Sequence, residues 1–323
     1  MPIPEFQGHL VRRLPNEEEL ARRPSCSLTA RDLEILTAAG VLSLLTAELV
    51  GLAYFPPDQA DPRYASSRAY ARLQRCWLWG YLDRYILPAP RGTVGGIPDL
   101  FALGAEGVRL VTRRVRPAVP PAETRPEDLD VRFVQHELTV AAVWASMQAL
   151  VRTGQLRACR WTPERCWRAA NVYVPDPLGP RPLRVLPDGS AELEYPDGTV
   201  RFCAVEIDRG TLKQERFARK LRAWEGYVGA QLARAYTRDE ASFVVLSETR
   251  AGLTERWKTA RQTVNEAGWR RYLFGTTDLL TPGRFSADQA WLSLAGEYCA
   301  LLAGLLPATS TSEKGDGRAA RTT

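Results

Sequence analysis

The sequence predicts an α+β protein, with a helical first half that ends in a β-ribbon and a second half built on a mixed sheet flanked by helices. Two patterns support this prediction. Three short segments with apolar residues at helical spacing precede residue 90, and beyond residue 130 apolar runs of strand length alternate with helical ones. The 323 residues are 45% hydrophobic and 25% charged, a composition typical of a folded protein with a packed core.

Two short helices are expected near the start of the chain. The segment 27–40 opens with Ser or Thr at its N-cap, carries leucines at helical spacing and is expected to end on Gly40. A second helix is expected within 44–55, with Thr46 as its cap. Residues 35–55 are apolar enough to resemble a membrane span, but an internal glutamate and a break between the segments favour two helices around a turn.

The third predicted helix, 63–82, has an apolar side and a basic side. Its inward stripe is expected to consist of Ala69, Leu73, Cys76 and Trp77. The basic side carries the candidate DNA-binding residues Arg63, Arg68, Arg72 and Arg75. With no acid among them, these arginines suit the strongly negative surface of DNA.

Two strands are expected after this helix, within 81–90 and 96–111, joined by a glycine-rich loop that bears Arg91. Three helices followed by a β-ribbon is the pattern of a winged helix, a variant of the helix-turn-helix. We therefore expect the third helix to enter the major groove of duplex DNA and Arg91 to contact phosphates nearby. A solvated helix face, or a winged helix that binds protein, explains the same pattern.

The second half is predicted to form a sheet flanked by helices. A long helix is expected over 130–154, capped by Asp128 or Asp130, and further helices over 212–235 and 251–267. Strands are expected at 156–161, 191–195, 200–207, 242–248 and 271–277. A loop is expected to hold Trp161, Cys166 and Trp167. The apolar stretch 290–306 is expected to be a buried or dimer-forming helix.

Shifts in composition divide the chain into five parts. These are an arginine-rich leader (1–26), the winged-helix domain (27–118), a linker rich in proline and charge (119–129), the α/β domain (130–306) and a disordered tail (307–323). The N-terminus lacks the apolar run and cleavage site of a signal peptide, so we expect a cytoplasmic protein that does not enter a membrane.

Three acids of the second half form a candidate metal site. Glu206 and Asp208 lie two residues apart on a predicted strand, so both side chains project from the same face. A neighbouring strand would bring Asp188, from a Pro-Asp-Gly turn, beside them. Three converging carboxylates repel one another unless a cation neutralises them, which points to Mg²⁺ or Mn²⁺. The same tripeptide is a common hairpin turn, and Asp188 is equally explained as an ordinary turn residue.

Residue counts exclude several other kinds of site. The chain has only two histidines, His9 and His136, which excludes a zinc site or relaxase site built on a histidine cluster. The six cysteines show no CxxC spacing. The sequence has no GxxxxGK[ST] loop, so we expect no nucleotide cofactor and no ATP-driven motor.

Together these segments resemble the replication-relaxation family found on bacterial plasmids and integrative elements. The resemblance spans roughly residues 28–280 and rests on the winged-helix pattern, QHELTVAAVW, PDG and VEIDRGTLKQERFARKLRAWEGY. Its most specific part is EIDRGT followed by Lys220 and Tyr227. The resemblance implies a role in plasmid replication or DNA relaxation, with double-stranded DNA as the partner.

The resemblance also implies that the second half is similar to the PD-(D/E)xK nuclease core. Asp188 would be its first acid and Glu206 its second, and both would bind the metal ion. That nuclease motif has a lysine where this chain has Asp208. Lys213 and Lys220 lie seven residues apart on the following helix and share a face, so either is a candidate replacement. The alternative is an inactive site in a domain that serves as a scaffold or dimerises.

The sequence is compatible with three functions. The first is a DNA-binding protein of a mobile element with a degenerate nuclease-like domain, acting as a homodimer on paired half-sites. The second is an active metal-dependent endonuclease, and the third a protein-binding adaptor. His136 is a candidate base and its neighbour Glu137 a further carboxylate, although a structural hydrogen bond also explains a lone histidine.

Overall fold

The computed structural model describes residues 9–25, 27–55, 64–86, 98–114, 130–230, 241–280, 284–285, 287 and 290–301. These residues form an α+β fold, which confirms the predicted class. A small antiparallel sheet with helices makes up the first half, and a larger mixed sheet flanked by helices makes up the second.

The first half surrounds its sheet with short helices. Its elements, in chain order, are β1 (Val11–Arg13), α1 (Glu17–Ala21), α2 (Ala30–Leu42), α3 (Ala47–Tyr54), α4 (Tyr64–Leu78), β2 (Leu82–Ile86), β3 (Leu100–Leu103) and α5 (Ala105–Arg114). The strands pair antiparallel in the order β1-β2-β3. The predicted inward stripe of α4 is buried, as expected. The leader supplies β1 and therefore packs as part of this half.

The boundaries of α2 follow from its two ends. The hydroxyl of Thr29 accepts from the N–H of Asp32, and the Asp32 carboxylate accepts from the N–H of Thr29, so the two residues form a capping box. The predicted end at Gly40 is wrong, because the helix continues to Leu42 and stops at Ser43 with φ 65°. Gly40 instead allows close packing, since a Cβ there would lie 3.1 Å from the Leu103 side chain.

The end of the second predicted ribbon strand is a helix, α5. The alternation in Gly-Val-Arg-Leu-Val resembles a strand, but these residues lie within α5, whose Leu110 and Val111 pack on the core of the first half. Glycine permits this packing: a Cβ on Gly107 would lie 2.1 Å from the Tyr81 carbonyl oxygen. The second strand is therefore shorter than predicted and consists of β3 alone.

The second half contains a seven-stranded sheet. Its elements, in chain order, are α6 (Val131–Arg152), β4 (Ala158–Pro163), α7 (Glu164–Ala170), β5 (Tyr173–Val174), β6 (Leu183–Arg184), β7 (Gly189–Glu194), β8 (Val200–Asp208), α8 (Gln214–Ala230), β9 (Ala241–Ser247), α9 (Arg250–Thr263), β10 (Tyr272–Thr276), β11 (Trp291–Ser293) and β12 (Tyr298–Cys299). The strand order is β12-β11-β10-β9-β8-β7-β4, with β8, β9 and β10 parallel and the remaining pairs antiparallel. Strands β5 and β6 form a separate pair.

The strand β8 is buried on both faces of the sheet. Phe202 and Ala204 pack with α8 and α9 on one face, whereas Cys203 and Val205 pack with α6 on the other. This alternation places the even-numbered residues of β8, which include Glu206 and Asp208, on the α8 side.

The long helix α6 joins the two halves. Its N-cap is Asp130, one of the two predicted caps, whose side chain accepts from the N–H of Arg132 at 2.8 Å. One side of the helix packs into the core of the first half through Ala141, Trp144 and Ala145. Another side packs on the large sheet through Val140, Val143, Met147 and Leu150. The two halves therefore share a helix in their cores.

Three further predictions for the second half are wrong. The loop predicted around Trp161 and Trp167 is the end of β4 followed by α7, and the helix predicted over 251–267 ends at Thr263 before a 3₁₀ turn. The start of the predicted 290–306 helix is the β11–β12 hairpin. Gly296 forms its turn at φ 94°, a conformation that interrupts a helix.

Several predictions concern residues outside the described ranges. They include Arg63, Arg91, Asp128, the linker 119–129 and the tail 307–323. Of the helices that are described, none combines the length and the apolar character that crossing a membrane requires.

Candidate functional site

Asp188 lies in the turn before β7 and is fixed to β8. Its Oδ2 accepts from the N–H of Ile207 at 2.7 Å, and its own N–H donates to the Val205 carbonyl at 3.0 Å. The next residue, Gly189, lies beneath the ring of Trp161, where a Cβ would be 2.2 Å from a ring carbon. The turn therefore holds the Asp188 carboxylate against the strand that carries Glu206.

Glu206 is a buried acid with one unpaired oxygen. Its side chain is 3% exposed, and its Oε1 accepts from the Nζ of Lys220. Its Oε2 has no hydrogen-bond partner among the described residues. Burial, and next the negative charge of Asp188, raise the pKa of Glu206 to about 8. Glu206 therefore accepts protons near neutral pH unless a further cation approaches.

Lys220 reaches both acids from α8. Its Nζ bonds Glu206 and lies 3.9 Å from Oδ1 of Asp188. Burial alone would lower the pKa of Lys220, but the negative charges of Glu206 and Asp188 outweigh it and the pKa is raised. The lysine thus stays positively charged between two carboxyl groups that come from a turn and a strand.

A small cavity adjoins this cluster. It measures about 10 Å³, the size of roughly one water molecule, and its lining includes Glu206, Lys220 and Trp224. The buried Nε1 of Trp224, like Oε2 of Glu206, has no hydrogen-bond partner within the described part of the chain. The residues around this space therefore include a buried donor and a buried acceptor without a described partner.

His136 and Glu137 approach the cluster from α6. The Nε2 of His136 lies 3.8 Å from Oδ1 of Asp188. Burial raises the pKa of Glu137, and the His136 charge opposes this effect. His136 is therefore placed beside the Asp188 carboxylate, in a position to hold its orientation or to exchange a proton with it.

Asp208 is on the predicted face of β8 but has a different partner. Its two carboxylate oxygens accept from Nε and Nη2 of Arg256 at 2.8 and 2.9 Å, and Oδ1 also accepts from the N–H of Gly210 at 3.2 Å. Arg256 further donates to the carbonyl of Leu212, in the turn before α8. Lys213 is exposed and forms no ion pair with the described residues. Neither predicted residue joins the Asp188–Glu206–Lys220 cluster.

Arg256 is the residue that sequence reasoning missed. It lies 48 residues after Asp208 and is buried on α9, within the apolar stripe that contains Leu253 and Ala260. A charged residue at an inward helical position was the available signal, because a buried arginine requires a carboxylate partner.

Asp188 and Glu206 are the residues of the cluster that could hold a metal ion. No three His, Cys, Asp or Glu side chains of the described residues are grouped to hold a metal ion by themselves. Magnesium commonly takes only one or two protein carboxylates and completes its shell with waters and phosphate oxygens. Asp188 and Glu206 supply two such carboxylates, but Oε2 of Glu206 is buried beside a space for about one water molecule, so an ion shared with a phosphate requires that space to widen.

The predicted DNA-binding arginines of α4 differ in their surroundings. Arg72 donates to Asp32 at 2.8 Å and to Thr29 at 2.9 Å, and Arg75 donates to the Ser27 carbonyl at 2.7 Å. Burial works to raise the pKa of Asp32, but bonds from Thr29 and Arg72 outweigh it and hold that pKa low. Arg72 and Arg75 therefore attach α4 to the start of α2 and to the residues just before it.

The N-terminal part of α4 presents exposed side chains. Its exposed residues are Tyr64, Ser67, Arg68 and Ala71. The Arg68 guanidinium lies 5.3 Å from the centre of the Tyr64 ring and 5.4 Å from that of Phe55. At the other end of the helix, the leader accepts hydrogen bonds from Trp77 and Trp79 through its backbone carbonyls.

A comparison with protein-family models identifies the chain. The model described as replication-relaxation matches residues 33–242, more than half of the sequence. The chain belongs to the replication-relaxation family. No curated protein and no solved structure matches it. Membership confirms the resemblance on which the sequence prediction rested and associates the chain with replication or relaxation.

In this replication-relaxation protein, the matched region contains α4 and the acid–lysine cluster, whereas Arg256 lies beyond it. The structure brings together Asp188, Glu206, Lys220 and His136 from four separate segments. Lys220 therefore lies beside Glu206 and Asp188, whereas Asp208 pairs with Arg256.

Proposed function

We propose that this replication-relaxation protein binds duplex DNA and cleaves one strand by metal-dependent hydrolysis at Asp188, Glu206 and Lys220. One observation carries the proposal. The Nζ of Lys220 bonds Glu206 and lies 3.9 Å from Asp188, so two acids and a lysine meet although position 208 holds an acid. This is the set of groups that a nuclease of the PD-(D/E)xK type requires.

Each side chain has a distinct role in this proposal. Asp188 and Glu206 are the residues that would hold a Mg²⁺ or Mn²⁺ ion. The ion, when bound, supplies Lewis acidity toward the phosphate and a more acidic water. Lys220 stabilises the negative charge that develops on the phosphate oxygens. His136, at 3.8 Å from Asp188, acts as a positioning residue for that carboxylate.

The exposed N-terminal part of α4 is the proposed DNA-reading surface. The N-terminal residues of a recognition helix are the ones that contact base edges, and here they include the exposed Ser67 and Arg68. Arg72 and Arg75 support the helix through their internal hydrogen bonds. A homodimer on paired half-sites stays a prediction, which sedimentation analysis of the purified protein tests.

A second candidate is a DNA-binding protein whose nuclease-like domain is inactive. The ion pair between Lys220 and Oε1 of Glu206 favours it, because that oxygen is already in use. The lack of a third metal-ligating side chain among the described residues favours it as well. In this case the second half serves as a scaffold for α4.

Nicking of supercoiled plasmid distinguishes the two candidates. Wild type, Asp188→Asn and the matched control Asp197→Asn are incubated with Mg²⁺ or Mn²⁺. Asp197 lies in the chain's other Pro-Asp-Gly turn, where it accepts from the N–H of Thr199. We expect nicking by wild type and Asp197→Asn, and none by Asp188→Asn or with EDTA. A mobility shift by all three proteins without nicking would establish the inactive scaffold.

A further inference from the structure

We infer that Lys213, Arg216 and Arg219 form a second DNA contact, which binds duplex phosphates beside the acid–lysine cluster. We call these three residues the α8 ridge. The inference rests on the proposed function for its ligand, duplex DNA, but does not require that the site be catalytically active.

The segment around the start of α8 carries a large excess of positive charge. Between residues 209 and 222 the only acid is Glu215, whereas the cations are Arg209, Lys213, Arg216, Arg219, Lys220 and Arg222. Three of the cations have internal partners: Arg209 pairs with Glu248, Lys220 with Glu206 and Arg222 with Asp176. The other three are the ridge.

The ridge residues are exposed and form no ion pair with any described residue. Arg216 is three residues before Arg219 and four before Lys220, and residues at these spacings are neighbours on a helix surface. Like charges at these spacings destabilise a helix. Glu215, four residues before Arg219, and the charge of Asp176 offset part of this repulsion, and a bound external anion relieves the rest.

The position of the ridge identifies the anion. Arg216 lies one helical turn before Lys220, and Arg219 is its direct neighbour, so the ridge borders the cluster that would hold the cleaved phosphate. A DNA strand with one phosphate at Lys220 brings its adjoining phosphates over these side chains. Arginine suits this role because its guanidinium binds a phosphate through two parallel hydrogen bonds.

The salt dependence of DNA binding tests the inference. Fluorescence anisotropy with a labelled duplex, in EDTA to prevent cleavage, gives Kd at a series of salt concentrations. The proteins are wild type, Arg216→Ala, Arg219→Ala, the double variant and Arg270→Ala. Arg270 is an exposed arginine just before β10, at the opposite end of the parallel strands from the cluster, and serves as the matched control.

Each ridge arginine that contacts a phosphate contributes about 0.9 to the slope of log Kd against log salt. We expect the slope to fall by about 0.9 in each single variant and by about 1.8 in the double variant, and to be unchanged in Arg270→Ala. Unchanged slopes in the ridge variants, or an equal fall in Arg270→Ala, would overturn the inference. Thermal melts of the same samples establish that all variants are folded.

The failure of the ridge and the failure of the nuclease are separate results. A reduced slope in a protein that never nicks plasmid supports the ridge and refutes the catalytic proposal. Nicking by wild type with unchanged slopes in the ridge variants supports the catalytic proposal and refutes the ridge. A wild type that does not bind duplex DNA overturns both.

Discussion

Two buried acids on the same face of β8 have opposite surroundings. Asp208 is 2% exposed, and Arg256 pairs with both of its oxygens in parallel hydrogen bonds. Glu206, two residues earlier, is 3% exposed, yet among the residues that the structure describes only one of its oxygens has a partner, the half-buried Lys220. Burial alone therefore does not distinguish a structural acid from a reactive one.

The difference lies in how fully each carboxylate is hydrogen-bonded. A buried charge with all its partners is inert and holds the segments that it joins, here β8, the following turn and α9. A buried carboxylate with an unpaired oxygen can still bind a cation or a proton. Asp208–Arg256 is therefore a structural pair, whereas Glu206–Lys220 is the pair for which we propose a chemical role.

The largest expected effect comes from breaking the structural pair. Arg256→Met leaves Asp208 buried without its cation, and we expect a loss of about 3–5 kcal/mol in the free energy of unfolding. Urea denaturation followed by circular dichroism measures it. In the double variant Asp208→Leu/Arg256→Met most of that loss should be recovered, because no unpaired charge remains. A loss below about 1 kcal/mol in the single variant would refute the structural role.

The next effect concerns the reactive pair. Lys220→Met should reduce the rate of plasmid nicking by about 100- to 1000-fold, as expected when a group that stabilises transition-state charge is removed. Its free energy of unfolding should fall by less than that of Arg256→Met, because Glu206 has a raised pKa and can take up a proton when its cation is removed. A variant that nicks at the wild-type rate would show that the lysine only neutralises Glu206.

These two pairs also show what the sequence can predict about the site. The two-residue spacing of Glu206 and Asp208 places both on one face of a strand, and the structure agrees. Their partners lie 14 and 48 residues further along the chain, on different helices. Which lysine turns inward, and which arginine is buried, depends on how α8 and α9 pack on the sheet. Periodicity within α9 indicates that Arg256 faces inward, but it does not indicate which carboxylate the arginine meets.

Errors in the predicted elements have a similar origin. The α5 helix depends on Gly107, which lies against the Tyr81 carbonyl, and the β11–β12 hairpin depends on Gly296 at positive φ. In both segments the apolar residues suggested a different element, and a tertiary contact or a single backbone conformation decided the outcome. Long segments with strong periodicity, such as α6 and β9, were predicted to within a few residues.

The smallest expected effect is the pH dependence of stability. The pKa of Glu206 is raised from 4.5 to about 8, so between these values the folded protein holds more protons than the unfolded chain. The wild-type free energy of unfolding should therefore fall as the pH rises through this range, and that of Glu206→Gln should fall less. Urea denaturation without metal ions should show that, from pH 6 to pH 9, the wild-type free energy of unfolding falls by about 2–3 kcal/mol more than that of Glu206→Gln. Parallel pH profiles would contradict the raised pKa.

The most direct test of the central claim compares the two acids in one assay. Single-turnover nicking of supercoiled plasmid with Mn²⁺ is measured for wild type, Glu206→Gln and Asp208→Asn, each rate being divided by the folded fraction. We expect Glu206→Gln to nick at least about 100-fold more slowly than wild type. The nicking rate of Asp208→Asn should stay within about tenfold of the wild-type rate. Nicking retained by Glu206→Gln, or an equal loss in both variants, would contradict the central claim.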